Sequence, residues 1–250
     1  MRRLMLLAPL CLVLSACGSS NKQATFADAV SKTQKQSTEH VALELKVVAR
    51  GQTLSFSGGG DFDTNGTRGA YITTLSSGGQ AIEFDEIIDG TKLYLSSPMF
   101  TSTLPSGKDW LMYDSTVASS ADGFNFNALT GISPGAVLTL LENTAPPQMH
   151  LGSATVDGVN TLHWQATYDT SKLEKAIQKT VDPVYKTFDV WIDDEGLVRK
   201  VVVDFTAKQA RDSTARAHVT LTMILSKFGA EVSVPIPTDA QTVDATAAAG

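Results

Sequence analysis

Residues 24–38 place Phe26, Ala29, Val30 and Thr33 at i, i+3, i+4 and i+7, which predicts one amphipathic helix with a polar opposite face. From His40 the period changes to two. Val41, Leu43, Leu45 and Val47 alternate with Ala42, Glu44, Lys46 and Val48, the pattern of a half-buried strand. The same rhythm returns at Leu54 and Phe56, at Tyr71, Thr73 and Leu75, at Ile82 and Phe84, and at Leu93 and Leu95. The breaks carry turn residues: Arg50-Gly51, Asn65-Gly66, Ser77-Gly78-Gly79 and Asp89-Gly90. Five strands at hairpin spacing predict a meander. Gly58-Gly59-Gly60 precedes no helix, so it predicts a relaxed strand, or a bulge where a sheet bends sharply, rather than a phosphate cradle.

Between Pro98 and Pro147 the alternation stops. Residues 115–127 are rich in Ser, Asp and Asn and read as loop. Ser133-Pro134 opens a second helix, with Val137, Leu138 and Leu141 on one face, and Ala145-Pro146-Pro147 ends it. Strands resume at Leu151, Ala154 and Val156, turn at Asp157-Gly158, and continue through Leu162, Trp164, Ala166 and Tyr168. A short helical stretch follows over 171–179. Phe188, Val190 and Ile192 lead into the turn Asp193-Asp194-Glu195-Gly196 and a strand from Val198 to Phe205. A long last strand covers 215–225, and Val234-Pro235-Ile236-Pro237 stops the sheet. The Ala/Thr-rich residues 238–250 predict a disordered tail.

The sum is about ten antiparallel strands in two runs, with helices before, between and within them. No linker composition separates the halves, so residues 24–237 read as a single α+β domain. Covering one face of such a sheet with three short helices leaves an apolar surplus. A concave apolar pocket would use that surplus, but periodicity alone favours a core filled by side chains.

The first residues add a location. Met1-Arg2-Arg3, an apolar run from Leu4 to Leu14, and Ser15-Ala16 form a secretory signal peptide over 1–16, too short to span a bilayer. Cys17 follows the small residues directly, as in the lipobox of bacterial lipoproteins. There the thiol takes a diacylglyceryl group and further acylation such as palmitate, and residues 17–23 become an anchored tether. Two acyl chains hold a protein at a membrane where one does not. The expected location is the outer, extracytoplasmic face of the cell membrane.

Charge and cysteine content then exclude several classes. The net charge is −6, and removing Arg2 and Arg3 with the leader makes the mature chain more acidic still. No Lys/Arg cluster offers a nucleic-acid footprint. Cys11 leaves with the leader and Cys17 carries lipid, so no disulfide or thiol chemistry remains. His40, His150, His163 and His218 have no second ligand at i+2 or i+4 and read as surface residues. Asp193-Asp194-Glu195-Gly196 lacks the alternating oxygen ligands of a calcium loop. No Gly-x-Ser-x-Gly elbow or Ser-x-x-Lys set appears. The expectation is a non-enzyme with no metal and no cofactor.

A lipobox, an N-terminal helix, a meander, Asp89-Gly90-Thr91-Lys92-Leu93-Tyr94-Leu95 and Lys108-Asp109-Trp110-Leu111-Met112-Tyr113-Asp114 follow in that order. Later come Val156-Asp157-Gly158-Val159-Asn160-Thr161, the stretch from Val190 to Lys200, and Val234-Pro235-Ile236-Pro237. In this order the chain resembles the LppX/LprG-type actinobacterial lipoproteins of the LolA-like carrier superfamily. The polar loop 115–127 has no counterpart in that pattern. The resemblance implies a strongly curved antiparallel sheet, a half-open β-barrel, with helices across its concave side enclosing an apolar cavity. On that fold Leu43, Leu45, Phe56, Tyr71, Phe84 and Trp164 would line the cavity from the strands. Val137, Leu138 and Leu141 would close it from the helix 133–143. The implied function is to bind an acylated lipid or glycolipid and carry it across the cell envelope, with an envelope transporter as a possible partner. The alternative is an envelope sensor or accessory lipoprotein that uses the fold to bind a protein.

Overall fold

The computed structural model describes residues 26–63, 67–101, 103–114, 134–142, 144–168, 181–209 and 212–246. The leader, Cys17 and its tether, the loop 115–127 and the helical stretch expected over 171–179 lie outside the described residues.

Among the described residues twelve strands form one open sheet. The meander is as the alternation predicts: β1 (Thr38–Ala49), β2 (Gln52–Asp63), β3 (Arg68–Ser77), β4 (Gln80–Asp89) and β5 (Lys92–Ser96). A short helix α2 (Pro98–Thr101) leads to β6 (Trp110–Asp114). The second run is β7 (Thr144–Val156), β8 (Val159–Tyr168), β9 (Val181–Asp193), β10 (Val198–Gln209) and β11 (Asp212–Ser226). A tail strand β12 (Thr242–Asp244) completes the set. The order is β12-β6-β5-β4-β3-β2-β1-β11-β10-β9-β8-β7. The two runs are therefore joined by the pairing of β1 with β11, Val41 opposite Leu225 and Leu45 opposite Leu221. All neighbours are antiparallel except β12, which runs parallel to β6. The sheet stays open, with β12 at one edge and β7 at the other.

One face of the sheet carries the core. Val41, Phe62, Leu225, Met223, Val201, Val190 and Trp164 point to it, in one cluster with buried residues of α1 (Phe26–Gln34) and α3 (Pro134–Glu142). Helix α1 buries Phe26, Ala29, Val30 and Thr33, the stripe its sequence spacing predicts. Thr33 ties this helix to the sheet. Its hydroxyl donates to the Ala29 carbonyl at 2.8 Å and accepts from the Val198 amide at 2.9 Å. Lys32 Nζ donates to the Glu195 carbonyl in the β9–β10 turn. Asp193 shapes that turn as a hairpin should be shaped: its carboxylate accepts from the Leu197 amide at 2.8 Å and from Arg199 Nε at 2.6 Å.

Three features differ from the sequence expectation. Among the described residues there are twelve strands rather than about ten, the two additional ones being β12 in the tail and β6, which lies where no alternation is visible. Its five residues Trp110 to Asp114 are all half-buried, so period two has nothing to mark. Strand β7 begins at Thr144 and runs through Pro146-Pro147, where a helix stop followed by loop is expected. Prolines are tolerated there because β7 is an edge strand, and the register breaks between Ala145 and Met149. The tail expected to be disordered is placed through residue 246, with a 3₁₀ turn at Asp239–Gln241 and then β12. Lys108 Nζ holds it by donating to the carbonyls of Asp239 (2.7 Å) and Thr242 (2.9 Å). The Ala245 amide donates to Met112 O at 2.9 Å. An edge strand's open backbone groups gave these residues partners that hydropathy does not reveal.

Candidate functional site

Strand register assigns every side chain of the meander to a face. Leu43 stands opposite Gly58, Leu45 opposite Phe56, Leu75 opposite Ile82, and Thr73 opposite Phe84. Counting by twos from Val41, all of these fall on the core-bearing, inner face. Yet Leu43, Leu45, Phe56, Leu75, Ile82 and Phe84 are only half-buried. At the other end of the same strands Val41, Phe62 and Leu95 are nearly inaccessible. The inner face thus has a packed end and an apolar end with solvent access.

The structure brings the residues expected to line a cavity onto this one face. Leu43, Leu45 and Tyr71 pack against the core cluster, and Trp164 belongs to it. Phe84 meets Phe100 of α2 with ring centroids 6.2 Å apart. Val137, Leu138 and Leu141 are buried in the same cluster.

Two acids that sequence reasoning missed share the inner face. Glu39 is 1% exposed, and neither carboxyl oxygen has a hydrogen-bond partner among the described residues. Burial, with a smaller push from the Asp63 charge, raises its pKa from 4.5 to about 7. Glu86 is also buried, and the Tyr71 hydroxyl donates to its Oε2. Burial raises the Glu86 pKa, against hydrogen bonds from Tyr71 and Thr73 that favour the anion. Tyr71 is pushed upward too, by burial first and then by Glu86, so its hydroxyl keeps its proton. Phe62 bridges the two acids: it stands opposite Glu39, and its ring lies 5.2 Å from that of Tyr71. The signal was parity. Glu39 has the phase of Val41, and Glu86 that of Phe84.

Beside Tyr71 the sheet is stripped of side chains. A Cβ on Gly60 would lie 2.1 Å from the Ala70 carbonyl oxygen and 2.2 Å from Tyr71 Cβ. A Cβ on Gly69 would lie 2.3 Å from the Phe62 ring. These inner-face glycines let β2 and β3 close toward the core side, as a curved sheet requires.

The outer face holds three of the four histidines in carboxylate pairs. His40 meets Asp61 at 2.6 Å, His163 meets Asp189 at 2.7 Å, and His218 meets Asp204 at 3.2 Å. His163 also stacks on Trp191 at 4.2 Å, with Lys200 Nζ 4.6 Å from the other ring system's centroid. His150 packs on Trp164 at 4.8 Å. Among the described residues no group of three His, Cys, Asp or Glu side chains could hold a metal ion. No helix among them is long and apolar enough to cross a membrane.

Neither a protein-family model nor a curated protein sequence matches the chain. Solved structures do align with it. LprF from Mycobacterium bovis aligns over 85% of this chain and 94% of its own, at 14% identity and a TM-score of 0.48. The Mycobacterium tuberculosis lipoprotein LppX aligns over 83% and 94%, at 17% identity and a TM-score of 0.47. Both are lipoproteins of the LppX/LprG group that the sequence resembles. MucB, solved in complex with MucA(peri), aligns over 87% and 60% at 13% identity and a TM-score of 0.33. The likeness is distant, and the functional reading below rests on this chain's own residues.

Proposed function

We propose that this chain is a non-catalytic envelope lipoprotein whose inner sheet face binds the acyl chains of a lipid or glycolipid. The observation that carries the reading is the half-buried apolar strip of Leu43, Leu45, Phe56, Leu75, Ile82 and Phe84 on a sheet face otherwise packed as core. Covering such a strip with hydrocarbon gains roughly 25 cal/mol per Å² removed from water. Helices α1 and α3 lie over the packed end and bound the cavity, and the curved sheet forms its floor. Acylation at Cys17 keeps the carrier on the outer face of the membrane that supplies the cargo, and an envelope transporter hands it over.

Extraction of the purified protein followed by mass spectrometry tests this. The expected result is lipid near one equivalent per chain. Ile82→Asp, which sets a charge in the half-buried strip at a residue outside the core cluster, should lose that lipid while melting near the wild-type temperature. A wild-type chain that emerges empty, or an Ile82→Asp chain that keeps its lipid, would sink the carrier reading. An empty chain that co-purifies with a protein would favour a partner-binding lipoprotein instead.

A further inference from the structure

The outer face of the meander carries a feature that the lipid reading does not use. Ala42, Gly59, Ile72, Asp85 and Ser96 stand opposite one another in a row across β1 to β5. Small side chains flank Ile72 on this row, and Ile72 is 50% exposed. The tail crosses nearby, so that Pro235, Ile236 and Pro237 face Ile72 and Trp110 across a cleft of about 570 Å³. That volume lies within the ~300–1,000 Å³ range of ligand pockets. The bonds from Lys108 and the pairing of β12 with β6 fix the tail that walls it. The cleft is a built part of the fold.

Charge selects the occupant. Asp85 lines the cleft, and the next row holds Glu44, Ser57, Thr74 and Glu83 across β1 to β4. Glu44, Glu83 and Asp85 are all exposed, and none forms a side-chain hydrogen bond or ion pair with the described residues. Within β1 to β5 Lys46, one row further on β1, is the single base of these rows; Lys200 lies on the Ala42 row two strands away on β10, with its Nζ over the Trp191 ring. An anionic membrane surface would be repelled here, and so would a second copy of this acidic chain. Hydrocarbon alone would leave the carboxylates without partners.

We propose that this outer cleft docks an extended basic segment of a partner protein, an apolar side chain entering between Ile72, Trp110 and the Pro235–Pro237 wall. Glu44 and Glu83 are three strands apart, about 14 Å at ordinary strand spacing. Two Lys or Arg residues four positions apart in an extended chain span about 13 Å and project to one side. The cleft between Ile72 on β3 and Trp110 on β6 lies beyond Glu83, so the apolar residue follows the second base, and the fitting motif is base-x-x-x-base-x-apolar. Such a contact gains its specificity and encounter rate from the complementary charge.

The test uses the full-length chain and the labelled peptide Ser-Lys-Thr-Ser-Thr-Lys-Thr-Leu-Ser, with its Glu-for-Lys counterpart, in fluorescence anisotropy. The Lys peptide should bind, weaken as salt rises, and lose at least about tenfold in affinity to Glu44→Gln/Glu83→Gln/Asp85→Asn. Ile72→Ser, at a half-exposed site that the fold does not depend on, should weaken it separately. The pair Asp194→Asn/Glu195→Gln, which removes two carboxylates from the β9–β10 turn, should leave binding unchanged. No binding of the Lys peptide, equal binding of the Glu peptide, or equal losses in the turn pair and the cleft variants would overturn the proposal. Lipid content measured on the same preparations reports on the inner face alone, so the two readings fail separately.

Discussion

Glu39 is the residue at which the inner face departs most from an ordinary sheet core. It sits in phase with Val41, is 1% exposed, and has neither oxygen paired among the described residues. A buried acid in this position stays protonated in the folded chain, while the unfolded chain ionises near 4.5. Between pH 4.5 and about 7 the folded state therefore binds the extra proton. Stability is fully present below that window, falls as pH rises through it, and is level above. Glu86, raised in the same direction, adds to the fall. For Glu39 alone the rise corresponds to about 3 kcal/mol. Glu39→Gln should therefore melt higher than wild type at pH 8 and much like it at pH 4.5. Parallel melting curves for the two proteins across this range would place the proton on another group.

At the scale of elements, the meander was legible because each strand has one wet and one dry side. Period two survives in Val41 to Val47 and in Ile82 to Phe84, and the turns between carry their own chemistry, as at Gly78-Gly79 where both φ angles are positive. Elements covered on both sides were not legible. Strand β6 lies under the tail on one face, so its run of apolar residues has no period to read. Strand β12 is short and polar and owes its place to the open edge of β6. Gly58-Gly59-Gly60 was half-legible. The register of β2 with β1 and β3 runs unbroken through it, so it is no bulge; it is the place where neighbouring backbone comes too close for a side chain. Gly60→Ala should accordingly cost about 3 kcal/mol, since the added carbon meets fixed backbone. Gly59→Ala points to the outer face, where the nearest atom is 3.2 Å away, and should cost under about 1 kcal/mol. Urea midpoints at constant m measure both, and equal shifts would mean that the close approach is not what fixes these glycines.

Over the whole molecule the two faces of one sheet carry different features, and the candidate site shows where sequence reading stops. The lining residues Leu43, Leu45, Phe56, Tyr71 and Phe84 could be assigned to one face from parity, and Val137, Leu138 and Leu141 to the core from helical spacing. The two buried acids and the outer cleft depend on residues distant in the chain, Glu39 with Phe62 and Ile72 with Ile236, which no local pattern connects. The proposed carrier role requires the chain to stay near its membrane, and Cys17 is the residue proposed to keep it there. Among the described residues the core begins at Phe26, nine positions further on. Cys17→Ala should therefore leave melting temperature and bound lipid unchanged while moving the protein from the membrane fraction to the soluble one. Two acyl chains anchor stably where none can, so the shift should be nearly complete. Alkaline washing separates lipid-anchored from loosely adsorbed chains. A Cys17→Ala protein that still sediments with washed membranes would mean that another part of the molecule holds it there, and the lipoprotein reading would fall.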